Sequence, residues 1–251
     1  VIEVVVPKQG ITPVHSPAVQ ETVLPKFGSN RILWDHVTVP NYSNKQENAV
    51  LYNIKLVLPE RLKIPGFTTI HDLMYFPQPG KYQWREYLFF DSLYMRLFVR
   101  RTVKRAPYIH TVSEYTAEDA RDLFPHVSPE KFQAIYHGVD RDRFSKAEWS
   151  SQDEEEWKSL TEKGVREPFF FYAGGLSKRK NIKNLFRGFA EFLKDHPDFQ
   201  LVVTGGKGPT ISDPEMAEAL SRIPSDNYVQ LGSVSSNRLV LLYQKAHCFI
   251  F

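Results

Sequence analysis

The sequence predicts an α/β protein built on parallel, doubly wound sheets in two successive domains. Short apolar runs alternate with segments of helical periodicity, the pattern of strand, crossover helix and parallel strand. Three strand candidates, Phe169–Ala173, 199–204 and 228–231, run directly into glycine at Gly174-Gly175, Gly205-Gly206 and Gly232, and ligands of open parallel sheets lie beyond such strand ends. A highly charged stretch without strand character separates the halves. It divides the chain into a first domain at 1–144, a linker at 145–167 whose acidic run is a solvated face, and a second domain at 168–251.

The unit opening at Phe169 shows the pattern most plainly. Phe169–Ala173 is an unbroken apolar run between Pro168 and the glycine pair, the composition of a strand buried on both faces. From Ile182 the apolar residues Leu185, Phe186, Phe189, Phe192 and Leu193 share one helical face, and Asn181 is placed to cap the first turn. Lys178, Arg179 and Lys180 stand where that helix begins. A helix start offers unpaired N–H groups and the positive end of the macrodipole, and glycines admit a ligand close to the backbone. The turn therefore suits a phosphate; a solvated basic turn is the alternative reading. Neither G-x-x-x-x-G-K-[ST] nor G-x-G-x-x-G occurs in the chain, which argues against a P-loop NTPase and an ordinary dinucleotide oxidoreductase.

Taken in order, the first half offers a strand at 4–6, a polar, proline-bearing loop to Gly28, an apolar segment at 30–39 that Pro40 stops, and short strands at 49–52 and 67–70. The last two end in Asn53 and in His71-Asp72. These are polar groups at strand ends and hence site candidates, with a satisfied turn histidine as the alternative for His71. Residues 84–105 read as one long, aromatic-rich helix with a polar stripe at Arg85, Ser92, Arg96 and Arg100 and a basic end; its wide apolar face suits a core better than a lipid surface. A strand at 108–112, a helix to Phe124 with Ser113 and Thr116 as capping candidates, and a strand at 132–136 lead to His137-Gly138-Val139-Asp140. The second half continues with a helix at 213–222, a helix at 236–246 and a closing strand at 247–251.

Composition narrows the function classes. The 251 residues are 42% hydrophobic and 24% charged, with no low complexity or repeat, so disorder is not expected. A net charge of +3 fits a small anionic ligand and is too slight and too evenly spread for nucleic acid. The single cysteine, Cys248, excludes an intrachain disulfide framework, suits a reducing compartment, and reads as a small core residue. Every apolar stretch is shorter than the roughly 18 to 20 residues of a bilayer helix.

Several segments, in order, resemble the retaining nucleotide-sugar glycosyltransferases of family 4. TTIHDLMYFP (68–77) is similar to that family's first-domain strand ending in His-Asp, and YIHTVSEYTAEDARDLF (108–124) to its Ser-Glu strand-to-helix turn. AIYHGVDRDRF (134–144) resembles the segment leading out of the first domain, with His137 where Asn is usual. YAGGLSKRKNIKNL (172–185) resembles the donor phosphate loop of the subgroup carrying Arg-Lys-Asn. LVVTGGKG (201–208) and residues 229–251 resemble the next two donor-domain units.

The resemblance implies a GT-B fold, two Rossmann-like parallel-sheet domains facing a cleft. It gives His71, beside Asp72, a catalytic place near the donor sugar. Arg179 and Lys180 would bind the diphosphate with Gly174 and Gly175, Arg179 standing in for the family's usual Arg at the position of Gly175. Gly205, Gly206 and Val234 would contact the nucleoside, while Asn53, Tyr75, Ser113 and Glu114 face the acceptor and Gly138 serves as hinge. The implied function is transfer of a mannose-type or glucose-type hexose from a nucleoside diphosphate sugar to a hydroxyl of a glycan or lipid-linked acceptor, with retention. No metal and no cofactor beyond that substrate are implied. The setting is cytoplasmic, with peripheral contact at the inner membrane face, in polysaccharide biosynthesis. The family's glycine-rich loop before Val1 and its paired glutamates after Phe251 are missing, so both domains are expected to be incomplete and the fragment inactive alone. A non-catalytic nucleotide- or sugar-binding module and another GT-B enzyme, such as a nucleotide-sugar epimerase, are the rival readings.

Overall fold

The computed structural model describes residues 2–6, 18–24, 31–78, 89–144, 148–205 and 213–251. The chain divides into two compact units, Val1–Gly138 and Val139–Phe251. Every strand pair among the described residues is parallel.

In the first unit, β1 (Ile2–Val6) pairs with β2 (Val19–Val23). The polar stretch before Gly28, expected to be loop throughout, thus contributes a strand: Val19, Thr22 and Val23 are β-branched and supply the preference that the surrounding prolines obscure. A helical run follows, α1 (Arg31–Leu33), a π-helical turn (Trp34–Thr38) and α2 (Val39–Ser43). Pro40 does not stop it. The proline falls in the first turn of α2, where a missing N–H costs little, and the wider turn before it relieves the crowding of its ring.

The main sheet of this unit has the order β3 (Leu51–Asn53), β4 (Gly66–Ile70), β5 (Ile109–Thr111), β6 (Phe132–Ala134). Of the long helix expected from Trp84, the described part is α3 (Phe89–Arg105); Trp84 and Arg85 lie outside the described residues. Met95, Val99 and Val103, four residues apart, form its buried stripe and meet Ile70, Ile109 and Phe76 in the core. Phe90, Leu93 and Leu97 stay exposed, so only part of the apolar surface is core. α4 (Glu114–Leu123) starts at Ser113, whose hydroxyl accepts from the Thr116 N–H at 3.2 Å, as the capping pattern predicts.

In the second unit, β7 (Phe169–Ala173), β8 (Gln200–Thr204), β9 (Tyr228–Gly232) and β10 (Cys248–Phe249) form a sheet of order β10-β7-β8-β9. β7 and β8 are nearly continuous apolar runs because helices cover both faces. On one side α6 (Ile182–Phe192) and α7 (Pro214–Leu220) pack Ile182, Phe186 and Met216 over Leu201 and Val203. On the other, α8 (Ser236–Lys245) sets Leu242 beside Phe171 and Val202. Each large side chain so buried contributes about 1.5 to 3 kcal/mol.

Residues 145–167, expected to be a linker, hold instead α5 (Ser151–Glu162), which packs on the second unit. Ser150 and Asp153 close a capping box at its start, and Asp153 and Glu154 complement the positive end of its dipole. Trp157 stacks on Phe169, Leu160 is fully buried, and Glu156 pairs with Arg238 of α8. The acidic run reads as a solvated face because two apolar side chains suffice to seat this helix. Cys248, expected in the core, is exposed, since β10 is a two-residue strand at the sheet edge.

Candidate functional site

The carboxyl ends of β7, β8 and β9 are tied together through glycine backbone. Gly174 N–H donates to the Thr204 carbonyl at 2.9 Å, and Gly205 N–H to the Gly232 carbonyl at 2.8 Å. Gly205 and Gly232 have positive φ, +94° and +66°, which glycine adopts freely. A side chain on Gly174 would strike the Tyr172 hydroxyl at 2.8 Å, whereas one on Gly175 would meet nothing. Tyr172 donates to the Gly175 carbonyl at 3.2 Å; burial raises its phenol pKa, and the charge of Arg179 acts the other way. Gly206 lies outside the described residues. Val234 is partly buried against the Phe171 and Leu242 cluster, so its side chain serves packing.

The basic residues form a 3-10 turn, Lys178–Lys180, joined to α6 by Asn181 in the left-handed conformation at φ +55°. Asn181 is not the expected side-chain cap. Its own carbonyl accepts from Asn184 and Leu185, and its side chain makes no capping bond to α6. The helix therefore begins without a cap from Asn181 and with no acidic residue in its first turn, beside three cations. Lys178 is committed elsewhere, 2.7 Å from Asp213, the residue whose carboxylate caps α7. Lys180 Nζ lies 5.0 Å from the centre of the Phe251 ring. Arg179 is exposed, and its charge reaches Tyr172. Tyr172 and Asp213 were not among the sequence candidates. An aromatic residue just before a glycine pair and a D-P-E start after a glycine loop are the signals that could have marked them.

At the strand ends of the first unit, exposed His71 follows β4. Its Nε2 is 2.9 Å from the Ile54 carbonyl, and its ring is stacked with that of His137, centres 6.1 Å apart and 19° from parallel. Asp72 Oδ1 accepts from the Met74 N–H at 3.2 Å and shapes the turn. The acceptor-side candidates do not converge as free groups. Asn53 holds Lys55 N–H on Oδ1 and donates from Nδ2 to the Val57 carbonyl; Ser113 caps α4; Glu114 pairs with Arg121 at 2.6 Å; and Tyr75 packs on the core while its carbonyl accepts from Arg96. Gly138 closes the first unit, and a side chain there would meet nothing. Among the described residues no group of three or more His, Cys, Asp and Glu could hold a metal, and no helix is long and apolar enough to cross a membrane.

Two family models match the chain, "Glycosyltransferase Family 4" over residues 48–143 and "Glycosyl transferases group 1" over residues 153–251. No curated protein matches it in sequence. Similar solved structures include HepE of Anabaena in complex with UDP and glucose, at 15% identity and TM-score 0.59 over 92% of this chain and 60% of that one. A glycosyltransferase from Rickettsia africae has 13% identity and TM-score 0.59, over 92% and 59%. WaaG, a glycosyltransferase of lipopolysaccharide biosynthesis, has 16% identity and TM-score 0.54, over 91% and 61%. The chain thus spans less than two thirds of each of these proteins. At such identities the likeness is one of fold. One glycosyltransferase family model thus matches most of the first unit and another most of the second, and the chain shares with these solved glycosyltransferases the GT-B fold.

Proposed function

We propose that the chain is part of a retaining glycosyltransferase of the Arg-Lys-Asn subgroup that moves a mannose-type or glucose-type hexose from a nucleoside diphosphate to a hydroxyl of a glycan or glycolipid. The observation that carries this reading is the convergence of the start of α6, which the Asn181 side chain leaves uncapped, the cations Arg179 and Lys180, and the side-chain-free backbone at Gly174 and Gly205. A departing diphosphate gains negative charge as the glycosidic bond breaks, and fixed cations with an aligned helix dipole stabilise that charge more in the transition state than in the bound donor. Gly205 and Val234 serve the nucleoside through backbone, and Gly138 is the hinge. HepE, whose structure was solved with UDP and glucose, supports a sugar nucleotide as the ligand class. His71 meets the donor sugar, and the leaving phosphate takes the acceptor proton, since no protein base is assigned.

Calorimetric titration of UDP and GDP into the chain tests the donor site. Lys180→Ala and Arg179→Ala are each expected to weaken binding by about 1 to 3 kcal/mol, the range of a charge-assisted hydrogen bond. Unchanged affinity in both variants rejects the reading.

A further inference from the structure

The turn after β3 and the histidine after β4 form one hydrogen-bonded unit. The register pairs Asn53 with Thr68, so the chain leaving β3 runs beside the last residues of β4. There Leu56 N–H donates to the Thr69 carbonyl at 3.1 Å, and the Ile54 carbonyl comes within 2.9 Å of His71 Nε2. A carbonyl oxygen has no proton to give, so Nε2 is the donor. In the neutral ring the proton then sits on Nε2, and Nδ1 carries the lone pair.

The Ile54 carbonyl is itself held by Asn53. The Asn53 amide spans the turn, accepting from Lys55 N–H at 3.0 Å and donating to the Val57 carbonyl at 2.6 Å, and its own carbonyl accepts from the Thr68 hydroxyl at 2.8 Å. The turn needs such a staple because Leu56 sits at φ +39°, a conformation that a residue with a side chain adopts only when its surroundings enforce it. Ile54 is exposed and adds no burial to fix the segment.

We propose that Asn53 is a positioning residue: through the Ile54 carbonyl it fixes His71 as the Nε2–H tautomer, so that His71 meets a ligand through Nδ1 as the acceptor of a hydroxyl hydrogen bond. The ligand class is a polyol or sugar. An anion is disfavoured, because the neutral ring has already spent its one N–H. The tautomer half stands on geometry alone; the hydroxyl half rests on the reading of His71 as facing the donor sugar.

Long-range proton–nitrogen NMR of the imidazoles, with the His71 signals assigned by their loss in His71→Gln, reads the tautomer directly. Above the titration of the ring, the wild-type chain is expected to show His71 with Nε2 protonated and Nδ1 bare, and Asn53→Ala to show a mixture. A wild-type Nδ1–H tautomer, or an Asn53→Ala spectrum like the wild type, overturns the proposal. If Asn53→Ala does not fold, Thr68→Val, which keeps the shape of that buried residue and removes only the bond to the Asn53 carbonyl, is expected to move the tautomer the same way, and no movement there overturns it. In a transfer assay of the intact enzyme Asn53→Ala is expected to lower kcat about tenfold, the worth of one hydrogen bond, with the donor KM within about twofold. Lost turnover with an unchanged tautomer overturns the positioning role. A changed tautomer with full turnover leaves that role standing and overturns the placing of His71 at the donor sugar.

Discussion

Gly205 leaves β8 so close to Gly174 that a methyl group on its Cα would lie 2.7 Å from the Gly174 carbonyl oxygen. The obstacle is backbone on a paired strand end, so no side chain can rotate away to make room. Gly205→Ala is therefore expected to destabilise the second unit by at least about 1 kcal/mol, from positive φ and from the contact together. Urea unfolding measures it. An alanine variant as stable as the wild type would show that the two strand ends separate without penalty.

The three cations of the Lys178–Lys180 turn should separate by function. Lys178 is paired with Asp213, and its side chain is 73% exposed, so Lys178→Ala is expected to cost less than about 1 kcal/mol of stability and to leave nucleotide affinity nearly unchanged. Lys180→Ala should weaken nucleotide binding while stability stays nearly unchanged, since its side chain is exposed. Titration and thermal melting of both variants check the contrast; loss of affinity in Lys178→Ala alone reverses the assignment.

His36 gives the first unit a dependence on pH. Its Nδ1 accepts from the Glu60 N–H at 3.2 Å, its Nε2 lies 2.9 Å from the Tyr94 hydroxyl, and it is 9% exposed. Burial lowers its pKa below the usual 6.5, against the smaller opposing pull of Asp35 and Glu60. A depressed pKa means that the unfolded chain binds the proton first, so this stability is present above 6.5 and is lost as pH falls through the folded value. The urea midpoint is expected to be lower at about pH 5 than at about pH 7.5, and His36→Gln should shrink the difference. An equal difference in that variant assigns the effect to other groups.

The capping box at the head of α5 should carry measurable stability. Ser150→Ala removes the acceptor of the Asp153 N–H and the partner of its carboxylate, and a loss of about 0.5 to 2 kcal/mol is expected. The Asp153 carboxyl is held below its ordinary value first by the Ser150 hydroxyl, then by the Ser150 N–H. The part of the loss that comes from the bond between the Ser150 hydroxyl and this carboxylate should therefore be present above the ordinary carboxylate pKa of 3.8 and fade as pH falls through the depressed value, while the part from the Asp153 N–H persists. A loss that does not change with pH would assign it to the bond from the Asp153 N–H alone and leave the carboxylate without a share.

In the intact enzyme His71→Ala is expected to cut turnover while the melting temperature and nucleotide affinity stay nearly unchanged, because the residue is exposed. Kinetics on the variant, with a thermal melt beside them, decide the matter. A large loss of thermal stability with a matching loss of turnover returns the residue to a structural role.

What the sequence made legible follows from local physics. β7, β8 and α6 announce themselves because burial on both faces demands an unbroken apolar run and burial on one face demands a stripe. The helix α5 was hidden because its seat on the sheet needs little more than Trp157 and Leu160, against a majority of charged residues. Pro40 misled because the π-helical turn ahead of it is not written in any period. At the site, Gly174, Gly205 and the basic turn were readable as chemistry. Asn181 was readable as a cap but acts by backbone angle, and Asn53 was readable as polar but not as a staple, since its side chain spans a turn whose Leu56 takes a positive φ that no residue type there announces. The stacking of His71 with His137 joins residues that follow β4 and β6, strands with β5 between them, and has no sequence signature at all.

The absence of any antiparallel pair among the described residues also sets an order of events in time. No strand can zip onto its neighbour through a tight turn, so each pairing must first close a long loop of chain, and such topologies fold slowly. β10 is the extreme case, since Cys248 and Phe249 must find Phe170 and Phe171 after all the helices between them have been laid down. Among the described strands it is the shortest and its partner is the most distant in sequence, so its pairing is expected to be the weakest. The amides of His247 and Ile250, bonded to the carbonyls of Phe169 and Phe171, are accordingly where hydrogen exchange in the second unit's sheet should be fastest.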